Sequence, residues 1–503
     1  MIEQEFSSVN PTEWIIKLVG HVMGASSFLL PFAMAHAGLP LFFLILVIEA
    51  YFTGKSLVYF SEMVTTRSNA NGIQCNNFFT IVEHYLGGEV HFRKVIIRLF
   101  VRGLFMFDVL ICTSFYFRVG AELWESVSVT EPFPTHLRNG YYAVVYICLS
   151  IFLLTWEYGE RFIQGLMTSN VVINQQINAV DIRDSHVKGV HINDGESMSW
   201  KQDRLNNMTV VVKETHSYNY KRPLLLFLFM LLTFSLILIY GALANNPDMI
   251  HSANSSAMCP GILQPTWESK STENILHEIP IIIFSLMSYV IILPICVDNL
   301  ELSTYANLVI KSKASLVGCL TVLALLVNLS LGESAAVIFP TAFGPGVYGI
   351  LIKTISFVIT LIAMLLRVMA CCRLIQVLVI DNDSETHYWL IVITLFFSSY
   401  VVATWVHSVV YLVIIAGSVN CNLLLIILPR LAYIQFKWKQ IQSRNIDHCP
   451  TLKDLIPIIE AAAGIGLHLV LLFTTFQAIQ IVDPSVGRSC KNYFIEIFAT
   501  FNF

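Results

Sequence analysis

The chain has 503 residues, 55% of them hydrophobic and only 13% charged, with a mean hydropathy of +0.67. That is far more apolar than ordinary soluble usage, so it reads as a polytopic membrane protein set in a lipid bilayer. A formal net charge of -4, with no basic run and no aromatic stacking platform, excludes a nucleic-acid partner.

In chain order, about eleven stretches reach the length of about 20 apolar residues that crosses a hydrocarbon core of ~30 Å. They run roughly over 14–36, 40–64, 95–126, 141–158, 222–243, 279–297, 314–332, 348–372, 387–406, 408–435 and 455–479. Gly38 to Pro40 and His407 to Ser408 leave almost no loop, so each flanking pair must turn back as a hairpin. The acidic start MIEQEFSSVNPTE lacks a signal peptide's basic flank and cleavage site, so the first span is expected to be retained. Lys and Arg collect in 67–94, 161–222, 311–313 and 430–453. With a cytosolic N-terminus, roughly twenty of the 30 basic residues fall inside or at inner ends, and about five outside. The odd span count then places the C-terminal tail, 482–503, on the extracytosolic side.

The polar stretch at about 160–221, mixed in charge and without periodicity, is expected to be a flexible cytosolic loop inserted in a single transmembrane domain spanning 1–503. An extracytosolic loop at about 244–278 carries the sequon Asn254-Ser255-Ser256, a glycosylation site in this topology. The 11 cysteines include no paired C-x-x-C, so no metal or cofactor site is expected, and most read as small buried hydrophobes. Cys259 and Cys490 fall outside, in an oxidising compartment that allows them to pair.

Two spans contain a Leu-Pro pair, SSFLLP ending at Pro31 and SYVIILP ending at Pro294, each following serines by a turn or two of helix. Proline deletes a backbone hydrogen bond and frees a carbonyl, which lipid tolerates only where protein, water or a ligand replaces the partner. Two such breaks far apart in sequence are the pattern of discontinuous helices in an inverted-repeat transporter, and they are where a substrate is expected. Charges within spans need an account of their own. Asp108 and Arg118 lie on one face about three helical turns apart, so each needs another partner, with Glu49, Lys353 and Glu460 available as partners, coupling residues or structural pins. Lys17, Arg98, Arg102 and Arg367 are expected to snorkel at inner ends, and Glu122 and Glu125 to be wet at the outer end. Of the membrane histidines His21, His407 and His468, His21 lies one turn before the first break and is the best proton carrier, the alternative being a ring satisfied by a backbone carbonyl.

The segment GHVMGASSFLLPFAMAHAGLPL, from Gly20 to Leu41, resembles the first span of the amino acid/auxin permease family, with Gly24, Leu30, Pro31, Phe32, Ala33, Ala37 and Gly38 fitting its pattern. YFTGK at Tyr51–Lys55 resembles the family's second span, FSLMSYVIILPICVDNLE from Phe284 to Glu301 its sixth, and HSVVYLVIIAGSVNCNLLLIILPRL from His407 to Leu431 its tenth. These motifs lean toward the vesicular inhibitory amino acid transporter branch. The resemblance covers nearly the whole chain outside 160–221 and implies an all-α, LeuT-like fold of two inverted five-helix repeats plus one span. It further implies broken first and sixth helices and proton- or sodium-coupled transport of amino acids. Ser26 and Leu29 stand where the family has further glycines, and the eighth span lacks the family's proline-containing ending.

The chemistry of the expected site follows from a zwitterion's two ends. Free backbone amides around Gly24, Ala25, Ser26, Ser27 and Phe28 offer partial positive charge to a carboxylate. Freed carbonyls from Phe284 to Ser288, or the hydroxyls of Ser285 and Ser288, can accept from the ammonium, and Tyr289 can shape the side-chain pocket. The alternative is that these serines bond their own helix backbone. Coupling candidates are His21, Asp108, and the hydroxyls of Ser356 and Thr360, with a proton preferred over sodium because the eighth span's sodium ligands look eroded. No enzymatic motif occurs, so the expectation is a proton-coupled amino acid transporter. An amino-acid-sensing receptor of the same fold is the alternative, and plasma, lysosomal and vesicular membranes all suit the topology.

Overall fold

A computed structural model of the chain describes residues 25–71, 78–88, 91–127, 272–286, 302–331, 336–343, 346–376, 385–406, 408–444 and 452–482, with short helical pieces within 141–155 and 232–237. The chain divides into two compact units, one of residues 1–143 and 220–503, the other of residues 144–219, whose described part is helix at 144–152 and 155. Every regular element among the described residues is helical.

In the larger unit a 3-10 helical turn, Ala25–Leu29, leads into α1 (Leu30–Ala37). Gly38, at φ 79°, is the whole join to α2 (Leu39–Asn71), and its N–H donates to the Met34 carbonyl at 3.0 Å. A left-handed residue that closes one helix while the next begins is what a loop-free hairpin needs, and glycine takes it without a Cβ clash. There follow α3 (Phe78–Gly87), α4 (His91–Val127), α5 (Thr272–Ser285) and α6 (Leu302–Leu331). A 3-10 turn at Phe339–Ala342 precedes α7 (Val347–Ile375) and α8 (Glu385–Trp405). One continuous helical run then comprises α9 (Val409–Ile415), a π-helical stretch (Ala416–Ile427) and α10 (Leu428–Arg444), before α11 (Leu452–Val482).

Among the described residues six stretches are long and apolar enough to cross a membrane: Leu39–Met63, Ile310–Leu331, Val347–Met369, Thr386–Trp405, Val409–Gln442 and Leu455–Phe473. Their outward faces are apolar too. Phe43, Leu44 and Val47 on α2, Leu390, Ile393 and Phe397 on α8, and Val470 and Phe473 on α11 are all exposed. Contiguous apolar surface of that kind is at rest against lipid, not water. The chain is a helical membrane protein.

The core forms around α4, which packs against α3, α7, α8, α9 and the π-helical stretch; α6 packs against α1 and α2, and α5 against α1, α11 and the π-helical stretch. Gly417 permits the last of these contacts, because a methyl there would overlap the carbonyl oxygen of Pro280. Contacts between side chains fix the relative directions of the helices. Asp108 with Arg367 and Ser126 with Lys353 make α4 and α7 antiparallel, while Phe52 with Arg430 and Glu62 with Tyr433 make α2 and α10 parallel.

Of the sixth span, expected over 279–297, the described part is α5 with Leu286, and the remainder, Pro294 included, lies outside the described residues. One feature departs from the sequence reading. Helix α3 falls within a stretch read as a basic loop; it is too short to span, and its buried Glu83 docks it on α4.

Candidate functional site

A 3-10 turn, Ala25–Leu29, lies just before Pro31. Proline occupies the opening turn of α1, where its missing N–H would have had no intrahelical partner and its fixed φ suits the helix. The Leu29 cap has no side-chain bond, and the residues before it tighten into the 3-10 turn that holds Ser26, Ser27 and Phe28, all buried. Across from this turn, Ser285 ends α5. Its Oγ lies 2.9 Å from the Ser26 carbonyl oxygen and 2.9 Å from the carbonyl of Ile281, one turn back on its own helix. With a single hydrogen to give, the hydroxyl serves either the 3-10 turn or its own backbone. The expected first and sixth spans, 259 residues apart at this contact, therefore meet through a hydroxyl and a carbonyl.

Aromatic rings close the flanks. Phe284 meets Phe115 of α4 edge-on at 4.9 Å, and Phe28 meets Phe339 likewise at 5.5 Å. The Ser26 hydroxyl is buried without a hydrogen-bond partner among the described residues. Ala25 opens the 3-10 turn, whereas His21, Gly24, Ser288, Tyr289, Asn254, Cys259 and Cys490 lie outside the described residues, as do the two expected loops over most of their length. One residue at this place escaped the sequence reading, which counted it with the inner basic residues. Lys313 of α6 is buried, packs along Gly54 of α2, and brings Nζ to 3.4 Å from the Leu286 carbonyl just past the end of α5. A cation beside the free carbonyls of a helix C-terminus is favourably placed. The signal was available in Lys311 and Lys313, two positions apart and so on different helix faces, of which Lys311 is exposed.

The coupling candidates separate by their partners. Thr360 donates its hydroxyl at 2.8 Å to the Ser356 carbonyl of its own helix, while the Ser356 hydroxyl is fully buried without a partner among the described residues. Both stand on α7, which packs against the 3-10 turn at Ala25–Leu29. Asp108 is bound at 3.1 Å by Arg367 and accepts from the Cys112 thiol at 3.5 Å. Arg367 therefore does not snorkel: it faces α4 and is buried, against expectation. Arg98 and Arg102, both partly exposed, pair with Glu83 at 3.0 and 3.3 Å. Arg118 pairs with Glu122 one turn on, at 3.0 Å, so Glu122 is an ion-pair partner more than a wetted end. None of Glu49, Lys353 and Glu460 meets Asp108 or Arg118; Lys353 Nζ donates to the Ser126 carbonyl at 3.1 Å.

Glu49 and Glu460 belong to a second polar set joining α2, α10 and α11. His468 Nδ1 lies 2.8 Å from the Gly464 carbonyl and Nε2 lies 3.0 Å from Glu49 Oε2. A carbonyl oxygen can only accept, so Nδ1 carries a hydrogen, and the Nε2–carboxylate contact needs a second one, held by the ring or by the carboxyl. Arg430, fully buried, donates to Ser56 Oγ at 3.2 Å, the Phe52 carbonyl at 3.0 Å and the Glu460 carbonyl at 3.4 Å, with its guanidinium 4.8 Å from the centre of the Phe52 ring. Tyr51 donates to the Glu460 carboxylate at 2.7 Å, and Lys55 lies 3.5 Å from it.

A scan against protein-family models finds no match to the chain, and a search of curated proteins finds none either. The functional reading therefore stands on residues and geometry.

Proposed function

We propose that the chain is a secondary active transporter that moves amino acids or related small zwitterions by alternating access, with the proton as coupling ion. On this reading the helices form an inverted five-plus-five repeat with one further span, and the chain is a relative of the amino acid/auxin permeases on the side of the vesicular inhibitory amino acid transporters. The observation that carries it is the contact of Ser285 Oγ, at the end of α5, with the Ser26 carbonyl of the 3-10 turn before α1. Amides of the 3-10 turn take the substrate carboxylate, and the carbonyls of Ser26 and Ile281, which the Ser285 hydroxyl covers in turn, take its ammonium.

The helix directions support the span order. Counted as spans one, two, three, six, eight, ten and eleven, α1 and α5 run antiparallel, as do α4 with α7 and α2 with α11, while α2 and α10 run parallel. Odd against even spans must oppose and even against even must agree, and each of these pairs does so. Counterflow of labelled amino acids in proteoliposomes tests the proposal, because a transporter exchanges label across the bilayer and a receptor-like member of the fold only binds it. Replacing Gly24 with leucine is expected to abolish exchange by filling the place where backbone meets the carboxylate; undiminished exchange would remove that site.

A further inference from the structure

Several buried charged side chains among the described residues are paired across helices, as in Asp108–Arg367 and Glu49–His468, and Glu278 of α5 stands apart from them. Its side chain is 4% exposed, its Oε2 has no hydrogen-bond partner among the described residues, and Oε1 has one ionisable neighbour there, His36 Nδ1 of α1 at 3.9 Å. His36 is 25% exposed, and its Nδ1 also lies 2.9 Å from the Phe32 carbonyl, to which it donates, leaving Nε2 as the nitrogen that accepts a proton. Among the described residues the remaining elements packed on α5 form no ion pair with Glu278: Lys313 of α6 reaches the Leu286 carbonyl at the end of α5, and on α4, which meets α5 through Phe115 and Phe284, Asp108 is held by Arg367 and Arg118 by Glu122. The π-helical stretch carries only Cys421, whose thiol donates to the Ala416 carbonyl, and α9 only Tyr411. On α2 and α11, Glu49 is held by His468, Tyr51 and Lys55 by Glu460, and Glu62 by Tyr433 and Lys437. A buried carboxylate without partners is costly as an anion and far less so as the neutral acid.

Resting on the transport reading above, we propose that Glu278 is the proton-binding residue of the transport cycle and that His36 is the group through which the proton reaches it. The place fits the task. Glu278 and His36 lie on the expected sixth and first spans, beyond the Ser26–Ser285 contact on the expected extracytosolic side, where α1 and α5 must part to admit substrate. In the open state a proton passes from solvent to His36 Nε2; the imidazolium then turns its Nδ1–H from the Phe32 carbonyl to Glu278 Oε1, the N–H bond breaks as the O–H bond forms, and the ring is left neutral with its hydrogen on Nε2. The neutral acid can be buried against α1, and closure delivers proton and substrate together. The Glu49–His468 pair is not that site, because both of its ring nitrogens are engaged and it bridges α2 to α11, away from the parting pair.

The test uses full-length protein in proteoliposomes, a tritiated mixture of the protein amino acids with GABA, and two readouts: counterflow, and uphill accumulation driven by an imposed pH gradient. Glu278→Gln, a permanently neutral mimic of the protonated acid, is expected to keep counterflow, now flat between about pH 5 and 8. It should lose gradient-driven accumulation by roughly tenfold or more, one decade being the effect of about 1.4 kcal/mol of lost coupling. Glu278→Asp keeps a titratable carboxyl and retains accumulation. His36→Gln, at a partly exposed position, is expected to shift the half-maximal pH of accumulation by about one unit, and it carries the test if Glu278→Gln is not recovered folded. Wild-type accumulation by Glu278→Gln, or a wild-type pH profile in His36→Gln, overturns the proposal and leaves transport standing. Absence of counterflow in the unaltered protein overturns both.

Discussion

Neutralising one half of the Asp108–Arg367 pair separates its two possible roles. At 3.1 Å and an effective dielectric of about 20, the attraction is roughly 5 kcal/mol, and breaking such a buried pair by removing one partner costs about 3–5 kcal/mol. Asp108→Leu strands a guanidinium at a site with almost no solvent, and Arg367→Met strands a carboxylate whose other neighbour, the Cys112 thiol at 3.5 Å, donates only weakly. The double variant strands neither, and apolar side chains suit a helix contact already lined by Val109, Ile111, Met364 and Val368. It is expected to recover all but about 1 kcal/mol, so the double-mutant cycle should return a coupling of about 5 kcal/mol or more. SDS-induced unfolding from mixed micelles, followed by tryptophan fluorescence, measures it. Single costs that simply add, to within about 0.5 kcal/mol, would refute the reasoning. Counterflow by the double variant with an unchanged pH profile makes the pair a pin between α4 and α7, whereas a folded double variant that has lost its pH dependence returns Asp108 to coupling.

Gly417→Ala places a methyl on the Pro280 carbonyl, a backbone atom that cannot swing away, and is expected to cost about 2 kcal/mol or more in the same unfolding assay. Gly318→Ala on α6, where a Cβ meets nothing within 4 Å, should instead gain up to about 1 kcal/mol from helix propensity. Arg430→Lys keeps the charge but loses the planar fork that reaches Ser56, Phe52 and Glu460 together, and should cost about 2 kcal/mol; an unchanged midpoint would mean that those contacts contribute nothing.

What the sequence made legible was length. Helices α2, α6, α7, α8 and α11 each follow a long apolar run, and such a run has few ways to satisfy its backbone in lipid other than helix. Pro31 does stand in the opening turn of α1, after a 3-10 turn, because proline's lost N–H is a local property. Direction around a helix was not legible. Arg367 was expected near an inner end, as snorkelling requires, yet its azimuth turns it to Asp108; Arg98 and Arg102 reach Glu83 on α3, whose ten residues are too few to register as a span. Arg430 belongs to a basic stretch and is nevertheless wholly buried, because Phe52, Ser56 and Glu460 supply acceptors that only the packing of α2 and α11 against α10 brings together.

The distribution of these polar contacts bears on which parts can move. Asp108–Arg367 fastens α4 to α7, Glu49–His468 fastens α2 to α11, and Arg430 fastens α10 to α2 and α11. Opening any of them strands a buried charge, at about 3–5 kcal/mol. Helices α1 and α5 are joined differently, by one hydroxyl–carbonyl bond whose donor has a second acceptor waiting on its own helix, and by a histidine–carboxylate approach at 3.9 Å. When α1 withdraws, the Ser285 hydroxyl turns to Ile281 and no donor is left bare, so the net loss is at most about 1 kcal/mol. A difference of a few kcal/mol is the scale on which two conformations of a transporter can both be populated and a bound ligand can choose between them. Substrate placed anywhere among the ion-paired helices would have to break a pin to enter; between α1 and α5 it need only displace a hydroxyl.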